Sequence, residues 1–563
     1  MRALHQHGSL RGDNEAIEEA LVVGGNAFER ATRLKDDAAL VDVAMIAGEV
    51  QLVRGQRQEN VTALGRARQA FELALARSPK QQNPRRWALA QDGVARGLLA
   101  IGSRDNKPDT FRKAFSAFRE SLNAQDRNAD RFQWLSTGLN AGVALQNLAD
   151  LTGELETLNE ARTIVQLIIR ETDREQFPNL WANAHLSLGT ILIQVGMREP
   201  GVETLRLAIE AHRNGIGAID RAQMPLQWAV GQMGLGVALW RLGERETGTA
   251  ALDASVAAFE FALEELTRER SPQEWATVQG NLAVTLWTKG ARELGTATLR
   301  QAAEAYEATL SIFSVDHSAF HWAVTQNNFG IVLRTIAERD ADDATLERAI
   351  AAYRAALTEW TREKTARLWA LTTNNLGFAL LTRAELQQDD GLIDEAVEHF
   401  RAALAETPRE ANAYEWAEVT DNLGRALALA GSLRRDEALL REGIAALRTA
   451  LEERPREAAP PLWSFTLHNL GTALASYANL TGDAAARAEA IASFRLALEV
   501  RGRDTDPAAW VLTSAALGVA LGRHGEAERK EALDLLETSR AHYAAAGGKA
   551  RLATLDEAIA TLR

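Results

Sequence analysis

The ten histidines are scattered, and none stands in a zinc-ligand spacing such as His-Glu-x-x-His, which sets two imidazoles one helical turn apart. Cysteine is absent, which removes disulfides, thiolate metal sites, iron–sulfur clusters and thiol nucleophiles together. Gly547-Gly548-Lys549-Ala550 lacks the upstream glycine and the hydroxyl of a phosphate loop, and reads as a helix stop. Arg11-Gly12-Asp13 is a chance tripeptide beside a helix start. Carboxylates are numerous but fall on predicted solvent faces among arginines, not as a pair set across a cleft. The chain is therefore read as no enzyme, with no catalytic residue, metal or cofactor.

Two residue types remain whose spacing bears on recognition. Trp87, Trp134, Trp181, Trp228, Trp275, Trp322, Trp369, Trp416, Trp463 and Trp510 recur every 47 residues, and only Trp240, Trp287 and Trp360 lie outside the series. A side chain that recurs once per unit is read as packing between stacked units. Six residues after the series tryptophan stand Asn140, Asn281, Asn328, Asn375, Asn422 and Asn469. An amide offers both donor and acceptor, so such a row either pairs with an extended peptide backbone or caps local structure. Both readings stay open.

The elements that position these residues follow from the same register, with the tryptophan as position zero. Position 8 is usually glycine (Gly142, Gly189, Gly236, Gly330, Gly377, Gly424, Gly471, Gly518) and position 11 is apolar. Positions 0, 7, 8 and 11 share one side of a 3.6-residue helix, helix A. Pro84, Pro178, Pro225, Pro272, Pro460 and Pro507 suit its first turn, with Asn83, Ser271 and Asp506 as candidate N-caps. Leucine at 24, alanine at 27, an aromatic residue at 31 and Leu or Ile at 35 mark an amphipathic helix B.

This predicts about eleven helix pairs and no sheet. The expected division is a partial repeat or cap over 1–39, ten repeats over 40–509, and a shortened repeat with a capping helix over 510–563. Residues 15–33 read as a helix B without most of its helix A, and 549–562 as a final helix.

At 563 residues the chain exceeds what one core normally holds, which a repeat array resolves. A net charge of −13 argues against nucleic acid, whose binding rests on neutralising phosphates with Lys and Arg. No run of 18 apolar residues exists and the start lacks an apolar signal core, so the expectation is no membrane partner and a cytoplasmic setting. Arginine and alanine in excess read as a GC-rich bacterial composition.

The unit resembles the tetratricopeptide repeat family. Asn375-Leu376-Gly377, Ala396 with Phe400, and Pro408 match its pattern, and Asn328-Phe329-Gly330 with Ala349 and Tyr353 matches in part. The unit departs from that family in length, 47 residues against 34, and in placing its tryptophan one helical turn early. It is similar to a longer bacterial subtype, on Trp322-Ala323-Val324-Thr325-Gln326-Asn327-Asn328 and Gly243-Glu244-Arg245. The resemblance implies an all-α, right-handed superhelical solenoid of antiparallel helix pairs.

It also implies that positions 5, 9 and 12 of helix A, flanked by 2, 6 and 13, line a concave groove that binds a protein or peptide. That stripe is apolar in Leu139, Val143, Leu186, Ile193, Met233, Val237, Trp240, Val284 and Trp287. It turns polar in Asn327, Asn374, Asp421, Arg425 and His468. With the ladder Asn281, Asn328, Asn375, Asn422 and Asn469, these are the candidate partner-binding residues. Self-association stays open. The alternative carried by the resemblance is a regulatory subunit of a bacterial signalling or caspase-like system whose catalytic domain lies on another chain.

Overall fold

In the computed structural model, the structure describes residues 14–57, 60–199, 201–387, 389–523, 526–545 and 552–563. Arg11-Gly12-Asp13 and Gly547-Gly548 lie outside the described residues. The described residues form 24 helices and no strand. The 47-residue phase is visible in the helix starts at Pro84, Arg131, Pro178, Pro225, Pro272, Ala366, Ala413, Pro460 and Pro507. Helix Val315–Asp340 begins early but breaks at Ser318 (φ −152°, ψ 50°), so its regular part resumes in register. Asn83 and Asp506 cap as expected, accepting from the backbone N–H of Arg86 and Ala509. The Ser271 side chain makes no cap bond.

Within each of the two compact units of the chain, short loops make the B helices run back along their A helices, and successive pairs pack on one another. This is the expected fold class, an all-α solenoid of antiparallel helix pairs. The position-27 alanines Ala114, Ala161, Ala208, Ala302, Ala349 and Ala396 are wholly buried, and the rings at position 31 (Phe71, Phe118, Phe259, Tyr353, Phe400, Phe494) fill the adjoining space. A further column enters the interior just after helix B, at position 38. Ser78, Thr172, Ile219, Leu266, Phe313, Trp360, Thr407, Arg454 and Arg501 are all buried there.

The series tryptophans are half-buried rather than central to the core. Nine of the ten carry a cation over the ring, supplied by the residue seven positions earlier. The closest are Arg221 over Trp228 (4.2 Å) and Lys80 over Trp87 (4.5 Å). Trp322 is the exception, because Val315 stands at that position. Several of these arginines also reach a glutamate at the end of the following helix B, as Arg127 does with Glu171 (2.5 Å) and Arg362 with Glu406 (2.5 Å).

The chain divides into two compact units, Met1–Ala238 and Leu239–Arg563. Within the second, helix Pro272–Arg292 packs beside helix Pro507–Gly522, five repeats later. The Tyr543 hydroxyl donates to the Arg339 carbonyl (3.3 Å). The array in this unit therefore curls back on itself and encloses part of its A-helix face.

Candidate functional site

That enclosed face holds a cavity of about 720 Å³, lined by A-helix residues from Ala291 to Leu512 together with Arg501, Asp506 and Tyr543. Two arginines clasp an aromatic ring at its wall. Phe378 lies between the guanidinium groups of Arg334 (4.2 Å) and Arg425 (4.8 Å). Arg425 donates to both oxygens of Glu385 (2.8 and 2.9 Å), and Arg334 pairs with Glu338 (3.3 Å). Each ion pair fixes its arginine against the ring, so the pairing orients a flat, polar-edged surface toward the cavity.

Arg339, also on the wall, has a different task. It donates to the carbonyls of Gly290, Ala291 and Gly295, each at 2.8 Å, at the end of helix Pro272–Arg292 and the loop after it. Arg292 does the same one repeat earlier, reaching the carbonyls of Gly243 (2.6 Å) and Glu246 (3.0 Å). A cation there satisfies C-terminal carbonyls that helix geometry leaves unpaired. Burial pulls the Arg339 guanidinium below its ordinary range.

Two buried arginines of the position-38 column stand here, Arg501 on the cavity wall and Arg454 behind it. Arg454 donates to the Thr466 hydroxyl (3.0 Å) and lies 3.9 Å from Asp421. Burial pushes the Asp421 carboxyl up, opposed by the Arg454 charge and by hydrogen bonds from Thr466 and Asn469. Arg501 donates to the hydroxyls of Thr513 (2.6 Å) and Ser464 (3.3 Å). The first unit shows how a buried charge is usually balanced in this array. Asp92 accepts from Thr137 (2.8 Å) and Arg96 (2.9 Å), and Arg96 also bonds Glu49 (2.9 Å).

The residues expected to line the groove meet different fates. In the first unit Leu139 and Ile193 are only 6% exposed and belong to the core, a correction to their expected place on an open face. Leu139 packs with Leu135, Ile168 and Leu180 in one apolar cluster. Leu186, Met233 and Val237 are half-buried. In the second unit Val284, Trp240 and Trp287 are half-buried. The Trp240 indole N–H donates to Thr288 (3.2 Å), with the Arg241 guanidinium 3.8 Å from its ring. The buried Trp287 ring N–H meets no acceptor among the described residues.

The asparagines bond to their own array. Asn375 donates to Asn327 (3.0 Å), Asn422 to Asn374 (3.0 Å) and Asn469 to Asp421 (2.7 Å), each joining position 6 of one helix A to position 5 of the preceding one. Asn328 accepts from Asn327 (3.1 Å) and bonds the buried Tyr306 hydroxyl. Asn422 and Asn469 are buried, while Asn281, Asn328 and Asn375 are half-buried. The bonds of Asn375, Asn422 and Asn469 run from side chain to side chain between repeats, so they are neither peptide contacts nor caps of local backbone.

The cavity falls in the polar half of the stripe, not in its apolar half. Sequence reasoning named Arg425, His468 and Asn469 but missed Arg334, Phe378 and Arg501. The change of the position-38 column from Leu266, Phe313 and Trp360 to Arg454 and Arg501 was the available signal. Among the described residues no group of three or more His, Asp or Glu could hold a metal ion, and no helix is long and apolar enough to cross a membrane.

No family model and no curated protein sequence matches the chain. Solved structures do. A Rap protein complexed with competence and sporulation factor is 13% identical over 77% of this chain and 99% of its own, with a TM-score of 0.41. The human IFIT1 dimer with PPP-AAAA is 14% identical over 82% of this chain and 94% of its own, at 0.34. The APC/C hetero-tetramer Cut9–Hcn1 is 13% identical over 92% and 95%, also at 0.34. These are likenesses at the level of the fold.

Proposed function

We propose that the chain is a protein-interaction scaffold that holds a peptide or protein segment against the A-helix face of its second unit. The observation that carries this reading is the 720 Å³ cavity enclosed by successive A helices, with Phe378 held between two arginines at its wall. A ring fixed by flanking cations is a rigid anchor, and rigid aromatic and arginine side chains dominate the energetics of protein interfaces. The ten repeats over 40–509 supply the scaffold, with 1–39 and 510–563 as its end pieces. Trp240, Val284 and Trp287 extend the surface within this unit. Leu186, Met233 and Val237 offer a comparable apolar face in the first. The net charge of −13 disfavours a nucleic-acid partner.

The test is capture of a partner by the full chain, followed by titration calorimetry with two variants. Phe378→Ala, and separately Trp240→Ala with Trp287→Ala, should each weaken binding by about 2 kcal/mol, the scale of interface anchors. Unchanged affinity in both variants would refute the reading.

A further inference from the structure

Burying a guanidinium where Leu266, Phe313 and Trp360 pack elsewhere is unfavourable unless an anion accompanies it. The two arginines of the position-38 column differ on this point. Arg454 has Asp421, the position-5 residue of the preceding helix A, and both are almost fully buried. At Arg501 the Thr513 hydroxyl takes the place of Thr466, and the Ser464 hydroxyl adds a second acceptor where the earlier repeat has Ala417. Position 5, however, is His468. Among the described residues no carboxylate comes within 4.0 Å of Arg501. Arg501 is 5% exposed and lines the cavity, which Arg454 does not.

The charges around the cavity point the same way. Its wall carries four cations, Arg334, Arg339, Arg425 and Arg501, against three anions, Glu338, Glu385 and Asp506. Arg334 and Arg425 take the two glutamates, and Arg339 is occupied by backbone carbonyls. Asp506 accepts from the backbone of Ala509 as a helix cap. One positive charge is left without a local counterpart.

We infer that Arg501 seats a single carboxylate of a bound acidic peptide, which completes the pairing that Asp421 provides one repeat earlier. The excess of one charge suits a monoanionic carboxylate better than a phosphate, whose charge at neutral pH lies nearer two. Desolvation bears this out, since burial pulls the Arg501 guanidinium down to about 10 despite the distant pull of Asp506 and Asp421. This inference rests on the peptide-binding reading above.

The test uses the full chain and fluorescein-labelled hexapeptide pools in which one position is fixed as Glu or as Gln. Binding is read by fluorescence polarisation, with propionate and inorganic phosphate as competitors at equal ionic strength. The Glu pools should bind at least tenfold tighter than the Gln pools, and propionate should compete better than phosphate. Arg501→Leu, which installs the residue found at 266, should abolish that preference. So should His468→Asp, which supplies the missing counter-ion internally and should also raise the melting temperature. Because His468→Asp keeps the buried arginine paired, it remains informative if Arg501→Leu fails to fold. Equal binding of Glu and Gln pools overturns the carboxylate seat and leaves the groove reading standing. Phosphate competing better than propionate overturns the carboxylate assignment. Propionate binding that depends on Arg501, with no pool bound, sustains the seat and overturns the groove reading. Binding of neither overturns both.

Discussion

His212 occupies position 31 of its repeat, where most other repeats place a Phe or Tyr ring. Its imidazole lies between Gly189 and Gly234, with no room for a methyl group on either glycine, as the Phe71 ring lies between Gly48 and Gly93. The side chain is 2% exposed, and neither ring nitrogen has a hydrogen-bond partner among the described residues. Burial pushes the imidazole from its ordinary 6.5 down to about 4. The folded value thus lies below the unfolded one. As the pH falls past 6.5 the unfolded chain takes up a proton and the folded chain does not, so stability present at neutral pH is lost on the way to 4. Linkage sets that loss at about 2 kcal/mol by pH 5 and about 3 kcal/mol in all. His212→Phe should remove this slope. It should also add roughly 1–2 kcal/mol at pH 7.5, because two orphaned polar atoms disappear. The assay is hydrogen exchange by mass spectrometry on the full chain at pH 5.0 and 7.5, corrected for intrinsic rates. Segments covering helices Pro178–Arg198 and Glu203–Gly217 should lose the stated opening energy in the wild type and none in the variant, because among the described residues of the first unit helices pack only on those of the same or adjacent repeats. Equal opening energies at both pH values in the wild type would refute the reasoning.

Asn422→Ala strands the buried Asn374 acceptor and should cost about 1–3 kcal/mol in urea unfolding, more than Asn375→Ala at its half-buried site. Arg174→Ala uncovers Trp181, 4.8 Å away, and should shift tryptophan emission to the red with a loss of about 0.5–1 kcal/mol. Trp322→Ala should cost about 2 kcal/mol in thermal unfolding, below the roughly 3–5 of a fully buried ring, since Trp322 is half-buried and has no cation above it.

The fold could be read from the sequence because each column answers to one local constraint. A proline that starts a helix, an alanine at a close helix crossing and a ring beside it are the same requirements met in most of the repeats. The ladder was ambiguous for a physical reason. An asparagine amide bonds a peptide or a neighbour equally well, and its own position does not distinguish them. The deciding residue lies 48 positions earlier. Asn375, Asn422 and Asn469 find Asn327, Asn374 and Asp421 there, whereas Asn281 finds Met233 and Asn328 finds Gly280. The residue 48 positions earlier, not the column alone, therefore determines which amides pair between A helices.

The cavity was harder to foresee, because it exists only where helix Pro272–Arg292 meets helix Pro507–Gly522. That meeting depends on the small rotation between successive repeats, accumulated five times, and no single residue records it. What the sequence does record is the consequence for charge. Once the array closes, an arginine at 501 is buried with His468 in the place that Asp421 holds for Arg454. A repeat protein built on near-identical units departs from its own rule where something other than packing acts on it. In this unit that departure falls on the wall of the enclosed face.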